Sequence, residues 1–203
     1  ILGRAFPKWD QRTLEVSWAT LSGVIKRLTN VDWKDFREAF SDTGDIGAAT
    51  KIVFEKTGGI RRQVMLVEEP LTILEVRRRL EAIAETAGYG SRERKERLLE
   101  TLLGAATPLE VKYLVKILIG EMRTGFFEGM MELAVSEAFQ IPLDVVQRAS
   151  MFTGDIAEVA AIAKVKGKKG IMNLQFQLFR PIRLMMAQMA VDVSEALREH
   201  KGK

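Results

Sequence analysis

The sequence predicts an all-α protein, a compact multi-helix domain of two pseudo-symmetric helical halves with a basic C-terminal linker. Apolar residues recur at helical spacing in most segments, and those segments begin at capping residues and end at glycines. A four-residue motif also recurs at matched spacing, which suggests duplication. A chain of 203 residues that is 47% hydrophobic and 29% charged is long enough for a sizeable core.

Helical spacing predicts three helices in the first third of the chain. The expected elements are a loop over 5–11 and helices over 14–28, 32–40 and 46 to the glycines at 58–59. Ile1-Leu2-Gly3 resembles the last turn of a helix, so we expect the chain to be part of a longer protein. Residues 60–69 form a connector with strand-like preference but no partner strand.

Three further helices are predicted in the middle of the chain. Thr72 and Glu75 form a capping-box pattern, and Ser91 is expected to cap a basic helix. Thr107-Pro108 then starts a strongly apolar helix, for which Gly120 is the expected C-cap.

The last third of the chain changes character near Lys164. Helices are expected from the loop at Arg123–Gly125 through 130–139, over 142–149 and from Thr153-Gly154-Asp155-Ile156 to about Lys164. From Lys164 to Arg183 the chain has six basic residues, no acid and no clean apolar stripe, which indicates linker or extended structure. A final capping signature at Asp192–Glu195 predicts a short helix reaching His200.

Two landmarks support the internal repeat. Thr43-Gly44-Asp45-Ile46 matches residues 153–156, and Arg12-Thr13 matches Arg123-Thr124. The two landmarks are separated by 31 residues in the first copy and 30 in the second. Leu2-Gly3 and Ile119-Gly120 precede them in the same order, so we expect two similar helical halves.

Two loops contain residues of the kind that contact phosphates, and Arg12-Thr13 is a third candidate because it matches one of these loops. Gly88-x-Gly90-Ser91 precedes a helix whose first turns carry Arg92 and Lys95, and Arg123-Thr124-Gly125 opens another helix. Glycines allow close backbone approach, and free N–H groups at a helix start attract anions. Ordinary glycine-containing turns beside solvated basic helices explain the same residues. The basic run at 164–169 is typical of a solvated linker, and the alternative is a sequence-independent attraction to a nucleic-acid backbone.

Several kinds of site are excluded or disfavoured by composition. The chain has no cysteine and one histidine, so thiolate metal sites and a cysteine nucleophile are excluded, and no metal site is expected. The Gly-Lys-Ser/Thr ending of a P-loop is missing, and no strand precedes the glycine loop as in a Rossmann turn. No apolar run approaches the ~20 residues that span a membrane. We expect no secretory signal. The net charge of +4 favours polyanionic partners only modestly.

With these motifs in view, the chain resembles the N-terminal DNA-binding domain of ATP-dependent DNA ligases of the archaeal and eukaryotic type. The order of motifs carries the resemblance: Pro70-Leu71-Thr72, Gly88 to Lys95, Thr107 to Leu114, and Ile119-Gly120 to Gly125. The segment GRAFPKWDQRTLEV and the stretch from Phe179 to Ala187 are similar to the flanking family segments, although Leu184 departs from an expected proline.

The resemblance implies an all-helical domain over 1–163 that grips nicked duplex DNA through the minor-groove backbone during replication and repair. Residues 164–203 would be the linker and the start of the adenylation domain. The implied DNA contacts are Arg12, Thr13, Gly88, Gly90, Ser91, Arg92, Lys95, Arg123, Thr124 and Gly125. ATP and Mg²⁺ are expected for the full-length enzyme. This chain lacks the Lys-x-Asp-Gly adenylation motif, so we expect it to hold no cofactor and to be inactive alone.

The resemblance also implies a site for a sliding clamp in the connector. Gln63, Leu66 and Val67 fit part of a clamp-binding motif, but its two aromatics are absent. A hydrophobic inter-helix linker explains the same residues. The expected location is the cytoplasm, or the nucleus if the protein is eukaryotic. The alternative function is a helical protein-interaction module, such as a clamp or scaffold adaptor, without DNA affinity.

Overall fold

The computed structural model describes residues 2–57, 70–180, 182 and 193–194, and this part of the chain contains no β-strand. All-α architecture is therefore confirmed for the described ranges. The helices are α1 (Trp18–Thr29), α2 (Trp33–Thr43), α3 (Ile46–Thr57), α4 (Ile73–Glu85), α5 (Ser91–Gly104), α6 (Pro108–Ile119), α7 (Glu128–Phe139), α8 (Leu143–Thr153) and α9 (Ile156–Met172). Among them, no helix is both long and apolar enough to cross a membrane.

The chain divides into two compact units, Ile1–Phe127 and Glu128–Lys203. The first unit contains α1 to α6, and the second contains α7 to α9. The predicted division after residue 163 separates a functional domain from its linker, whereas the division after Phe127 separates two compact units. The predicted division stays a prediction.

One large apolar cluster holds the first unit together. Leu21 and Ile25 of α1 meet Leu99 of α5 and Val111 and Val115 of α6, all without solvent exposure. Burying a leucine, isoleucine or valine side chain stabilises a fold by about 1.5–3 kcal/mol. The apolar stripes predicted for these helices are therefore the faces that the fold buries.

Local capping signals predicted most helix starts correctly. In α6, the Thr107 hydroxyl accepts a hydrogen bond from the Glu110 N–H (3.3 Å), and the Glu110 carboxylate accepts one from the Thr107 N–H (2.7 Å). The Thr72 hydroxyl likewise accepts from the Glu75 N–H. Ser91 is an exception, because Gly90 is the N-cap of α5 and Ser91 is the first helical residue.

The internal repeat extends over three helices with a constant offset of 110 residues. The helices α1 and α2 have the same lengths and spacing as α7 and α8, and α3 and α9 begin at equivalent positions. The residue after the first helix is left-handed in both copies, with φ 50° at Asn30 and 52° at Gln140. We call α1–α3 the first copy and α7–α9 the second copy.

The turn before the third helix has the same hydrogen bonds in both copies. The hydroxyl of Thr43 donates to the Ala39 carbonyl (2.7 Å), and that of Thr153 donates to the Ala149 carbonyl (3.0 Å). Gly44 and Gly154 follow in left-handed conformations, with φ 61° and 70°. The shared Thr-Gly-Asp-Ile motif therefore marks an equivalent turn.

The buried positions repeat together with the backbone. A satellite apolar cluster in the first copy consists of Val31, Phe36, Ala39, Ala49 and Val53. The residues 110 positions later are Ile141, Val146, Ala149, Val159 and Ala163, and all of them are buried. The two copies have apolar residues at the same positions, although the side chains differ in size, as Phe36 and Val146 show.

The expectation of linker or extended structure from Lys164 is wrong for its first nine residues. Helix α9 continues to Met172, and Ile171 is buried at its end. A kink at Gly167, with φ 60° and ψ −159°, divides the helix. Between Ala163 and Ile171 the only large apolar residue is Val165, which is 78% exposed, so the sequence shows no apolar stripe across the kink.

Two other boundaries differ from the expected ones. The first helix begins at Trp18, with Ser17 as N-cap, and Leu14 and Val16 pack on the core from the segment before it. The helix expected over 32–40 continues to Thr43. The expected helix after Asp192 lies almost wholly outside the described residues.

Candidate nucleic-acid interface

The turn between α4 and α5 is open to solvent and exposes the N-terminus of α5. Gly88 and Gly90 have φ values of 80° and 68°, which glycine adopts readily. A Cβ at either residue would meet no atom within 4 Å. Because no side chain caps α5, N–H groups of its first turn stay available to an external acceptor. The geometry therefore suits close approach of an anion.

Arg92 supplies an exposed cation beside this turn. Its side chain is 72% exposed, and its Nε donates to Glu96 one helical turn later (3.1 Å). Exposed pairs of this kind contribute little to stability and exchange readily with solvent. Ser91 is half-buried, and its N–H donates to the Gly88 carbonyl. Arg92 is thus one exposed cation of α5 that an anion at the turn can meet.

Lys95 occupies a different environment from the one expected. Its side chain is 7% exposed, and its ammonium donates to the Leu14 carbonyl (2.9 Å) and pairs with Glu15 (3.5 Å). This position corrects the expectation of a surface cation: Lys95 anchors the segment before α1 to α5. It stands four residues before Leu99 and seven before Leu102, a spacing that could have indicated the buried face.

Arg12 is also engaged within the protein. Its guanidinium pairs with Asp10 (2.7 Å) on its own segment and with Glu85 (3.0 Å) and Glu81 (3.5 Å) of α4. Hydrogen bonds from Arg12 lower the pKa of Asp10 below its usual value, and they raise the pKa of Arg12. Arg12 therefore holds the N-terminal segment on α4, whereas neighbouring Thr13 is exposed.

The loop after α6 presents Arg123 from a left-handed backbone. Arg123 has φ 48° and a side chain that is 58% exposed. Its Nη1 donates to the Gly44 carbonyl (3.0 Å), and its guanidinium pairs with Glu121 (3.0 Å). Gly125 follows with φ 65° and open space where a Cβ would stand. Thr124 is exposed, so all three predicted residues of this loop are accessible.

An ion pair supports the turn on which Arg123 rests. The ammonium of Lys116, from α6, pairs with Asp45, which directly follows Gly44. Partial burial alone would raise the pKa of Asp45, but hydrogen bonds from Lys116 and the Ala48 N–H lower it overall. The carboxylate is therefore charged at neutral pH and ties the turn to the C-terminal part of α6.

The N-terminal segment connects the two predicted loops. A Cβ at Gly3 would lie 2.5 Å from Cγ of Met122, so this segment starts against the loop of Arg123. It ends against α5 through Leu14 and Lys95. The first unit thus brings the Arg12–Thr13 segment onto the helices that flank the Gly88–Gly90 turn.

The register of the repeat changes the comparison between the two arginine segments. At an offset of 110, Gly125 corresponds to Glu15, which is also left-handed with φ 48°. Arg123 then corresponds to Thr13 rather than to Arg12. The match of Arg-Thr dipeptides in the sequence is therefore out of register by one residue, in agreement with the separations of 31 and 30 residues between the two landmarks.

Two other expectations concern the clamp and metal ions. Gln63, Leu66 and Val67 lie outside the described residues. In the ranges that the structure does describe, no group of three or more acids or histidines is arranged to hold a metal ion. The chain also contains no Lys-x-Asp-Gly sequence.

Comparisons with known proteins agree with the motif order. A family model described as DNA ligase N terminus matches residues 1–135. A DNA ligase of Thermococcus onnurineus (strain NA1) is 38% identical over 199 residues, covering 98% of this chain and 35% of the relative.

Two further archaeal DNA ligases are similar over nearly the whole chain. The relative from Archaeoglobus fulgidus is 35% identical over 199 residues, and that from Methanopyrus kandleri is 36% identical over 203. The chain spans about a third of the length of these relatives. Since the family model covers most of its residues, this chain belongs to the DNA ligase N-terminal family.

Proposed function

We propose that this chain is the DNA-binding domain of an ATP-dependent DNA ligase and holds nicked duplex DNA by its sugar-phosphate backbone. The observation that carries the proposal is the accessibility of two loops, Gly88–Arg92 and Arg123–Gly125. Both combine left-handed glycines that have open space around them with an exposed arginine. Backbone contacts of this kind position a protein on DNA without reading its sequence.

The other predicted contacts take supporting roles in this proposal. Lys95 and Arg12 are bound to other parts of the protein, so they hold the N-terminal segment in place. Exposed Thr13 stands where the second copy has Arg123 and contributes a neutral contact. The charge that meets phosphates at the two loops then comes from Arg92 and Arg123.

Binding of a fluorescent nicked duplex across a salt series tests the proposal. Arg92→Ala and Arg123→Ala should each weaken binding, because each removes a cation from an accessible loop. The slope of log K against log salt should become less negative by about 0.9 for each phosphate that the variant no longer neutralises. Intact duplex and single-stranded DNA serve as competitors, and duplex is expected to bind more tightly.

Arg78→Ala is the matched control, because Arg78 is exposed on α4 and belongs to neither loop. It removes the same charge but should leave the slope unchanged. Equal slopes for the wild-type chain and both loop variants would refute the assignment of these loops.

ATP and Mg²⁺ belong to the proposed full-length enzyme, in which they would supply adenylate transfer outside this chain. Its own residues would bind and orient DNA. A sliding clamp is a second proposed partner, through Gln63, Leu66 and Val67. Loss of clamp binding in a Gln63→Ala variant of the full-length protein would support this contact, and unchanged binding would exclude it. The relatives described above are DNA ligases, which gives no support to the adaptor alternative.

A further inference from the structure

Four exposed lysines surround the kink of α9, in the second unit of the chain. They make no ion pair with any residue that the structure describes. We call them the α9 lysine surface, and its members are Lys164, Lys166, Lys168 and Lys169.

The internal repeat shows that one lysine of this surface has no counterpart of the acid with which the equivalent lysine of the first copy pairs. In the first copy, Lys56 pairs with Asp35 across α2 and α3 (3.0 Å). The equivalent residues in the second copy are Lys166 and Val145. The lysine is present in both copies, but the acid is present only in the first.

A second pair shows that the first copy also neutralises charge within its third helix. Lys51 pairs with Glu55 one helical turn later (3.3 Å). The equivalent residues in the second copy are Ala161 and Val165, so neither charge is present there. The lysines of the second copy lie at 164–169, a run that contains no acid.

Neighbouring sequence does not neutralise the surface either. No aspartate or glutamate occurs between Glu158 and Asp192. The carboxylate of Glu158 is already bonded to Arg180 (2.5 Å). Four like charges within six residues repel one another, and a polyanion relieves this repulsion.

The kink interrupts α9 within the run of lysines. Gly167 has φ 60° and ψ −159°, and a Cβ at Gly170 would lie 2.3 Å from Cβ of Lys166. The turn after the kink is therefore packed closely against the turn before it. The four lysines lie on both sides of this kink, within six residues of one another in sequence.

We propose that the α9 lysine surface is a further contact for the phosphate backbone of duplex DNA, contributed by the second unit. The inference rests on the proposed function, since it concerns the same ligand. Lysine ammonium groups act as flexible point charges, so this contact adds affinity without base specificity. An acidic protein surface is the competing partner that the experiment must separate.

The test replaces all four lysines of the surface by glutamine in the 203-residue chain. Binding to nicked duplex is then measured by fluorescence anisotropy at several salt concentrations. The slope of log K against log salt should become less negative by about 0.9 for each lysine that contacts a phosphate. The slope should change equally for nicked and intact duplex, because the contact is to the backbone alone.

A control variant replaces Lys26, Lys34, Lys51 and Lys56 of the first copy by glutamine. It has the same net charge as the test variant, so a general charge effect would change both slopes alike. A smaller change in the control supports the α9 lysine surface. Equal changes, or an unchanged slope in the test variant, overturn the inference and leave an acidic protein as the partner to examine.

This result is separable from a failure of the proposed function. If Arg92→Ala and Arg123→Ala weaken binding while the α9 variant does not, the loops bind DNA and only the further contact is wrong. If no variant changes the slope, the proposed function and the further contact both fail. Circular dichroism confirms that each variant retains its helices.

Discussion

At the scale of single residues, the main contrast is between buried and exposed cations of similar sequence context. Lys95 and Lys116 have side chains 7% and 6% exposed, and each is bonded to a specific acceptor. Arg92 and Arg123 are mostly exposed, and their acid partners are exposed or close to the surface. The first pair therefore organises the domain, and the second is available to a ligand.

Replacement of Lys95 by alanine separates these two roles. The change removes the donor to the Leu14 carbonyl, and an unsatisfied buried acceptor costs about 1–3 kcal/mol. We expect urea unfolding to show a loss of that size. Where the variant is folded, its salt slope for duplex binding should equal that of the wild-type chain.

Arg97→Ala, on an exposed face of the same helix, provides the control and should change stability by less than about 0.5 kcal/mol. The opposite outcome for Lys95, unchanged stability with a slope reduced by about 0.9, would make it a direct phosphate contact.

At the scale of helices, local sequence signals predicted starts and faces well. The Thr107–Glu110 capping box and the stripe of Val111, Leu114 and Val115 involve residues within one or two turns, so the pattern contains the needed information. By contrast, Glu85 lies 73 residues from its partner Arg12, and Glu15 lies 80 residues from its partner Lys95, so no local pattern indicates these contacts. The continuation of α9 was hidden by its kink at Gly167.

Gly47 sets how closely α3 approaches α6. A Cβ there would lie 2.5 Å from the Lys112 carbonyl oxygen and 2.7 Å from Cγ of Lys116. The second copy has alanine at the equivalent position, 157. Glycine at position 47 is therefore required by the contact between α3 and α6, and the repeated three-helix motif does not need it.

We therefore expect Gly47→Ala to destabilise the chain by about 1–3 kcal/mol, since overpacking against backbone outweighs the gain in helix propensity. Gly23→Ala, inside α1, is the control, because its Cβ would meet only Arg27 at an ordinary 3.6 Å. It should stabilise the chain by up to about 1 kcal/mol in urea unfolding. Stabilisation by both changes would show that α3 and α6 are free to move apart.

At the scale of the whole molecule, the chain contains two similar three-helix copies, but the candidate DNA contacts differ between its two units. The two copies share helix lengths, left-handed caps and buried positions. The sequence revealed the duplication through one identical motif at 43–46 and 153–156, but not that the same offset holds for all three helices. The two accessible loops occur only in the first unit, and the α9 lysine surface occurs only in the second.

The distribution of the core makes a prediction about the first unit by itself. All residues of the main apolar cluster and of the satellite cluster lie within Ile1–Phe127. Since both clusters stay intact, a chain ending at Phe127 should fold, and its helices should melt in one cooperative transition. Far-ultraviolet circular dichroism during heating measures this transition. Loss of the helical signal in a single step would show that the fragment unfolds cooperatively.

The same fragment links stability to the binding proposals. It retains Arg92 and Arg123 but lacks the α9 lysine surface, so it should bind nicked duplex with a less negative salt slope than the 203-residue chain. The difference should match that produced by the four lysine substitutions, because both changes remove the same phosphate contacts. A fragment that melts without a cooperative transition would show that the second unit is needed for folding. A folded fragment whose salt slope equals that of the whole chain would show that the second unit adds no phosphate contact.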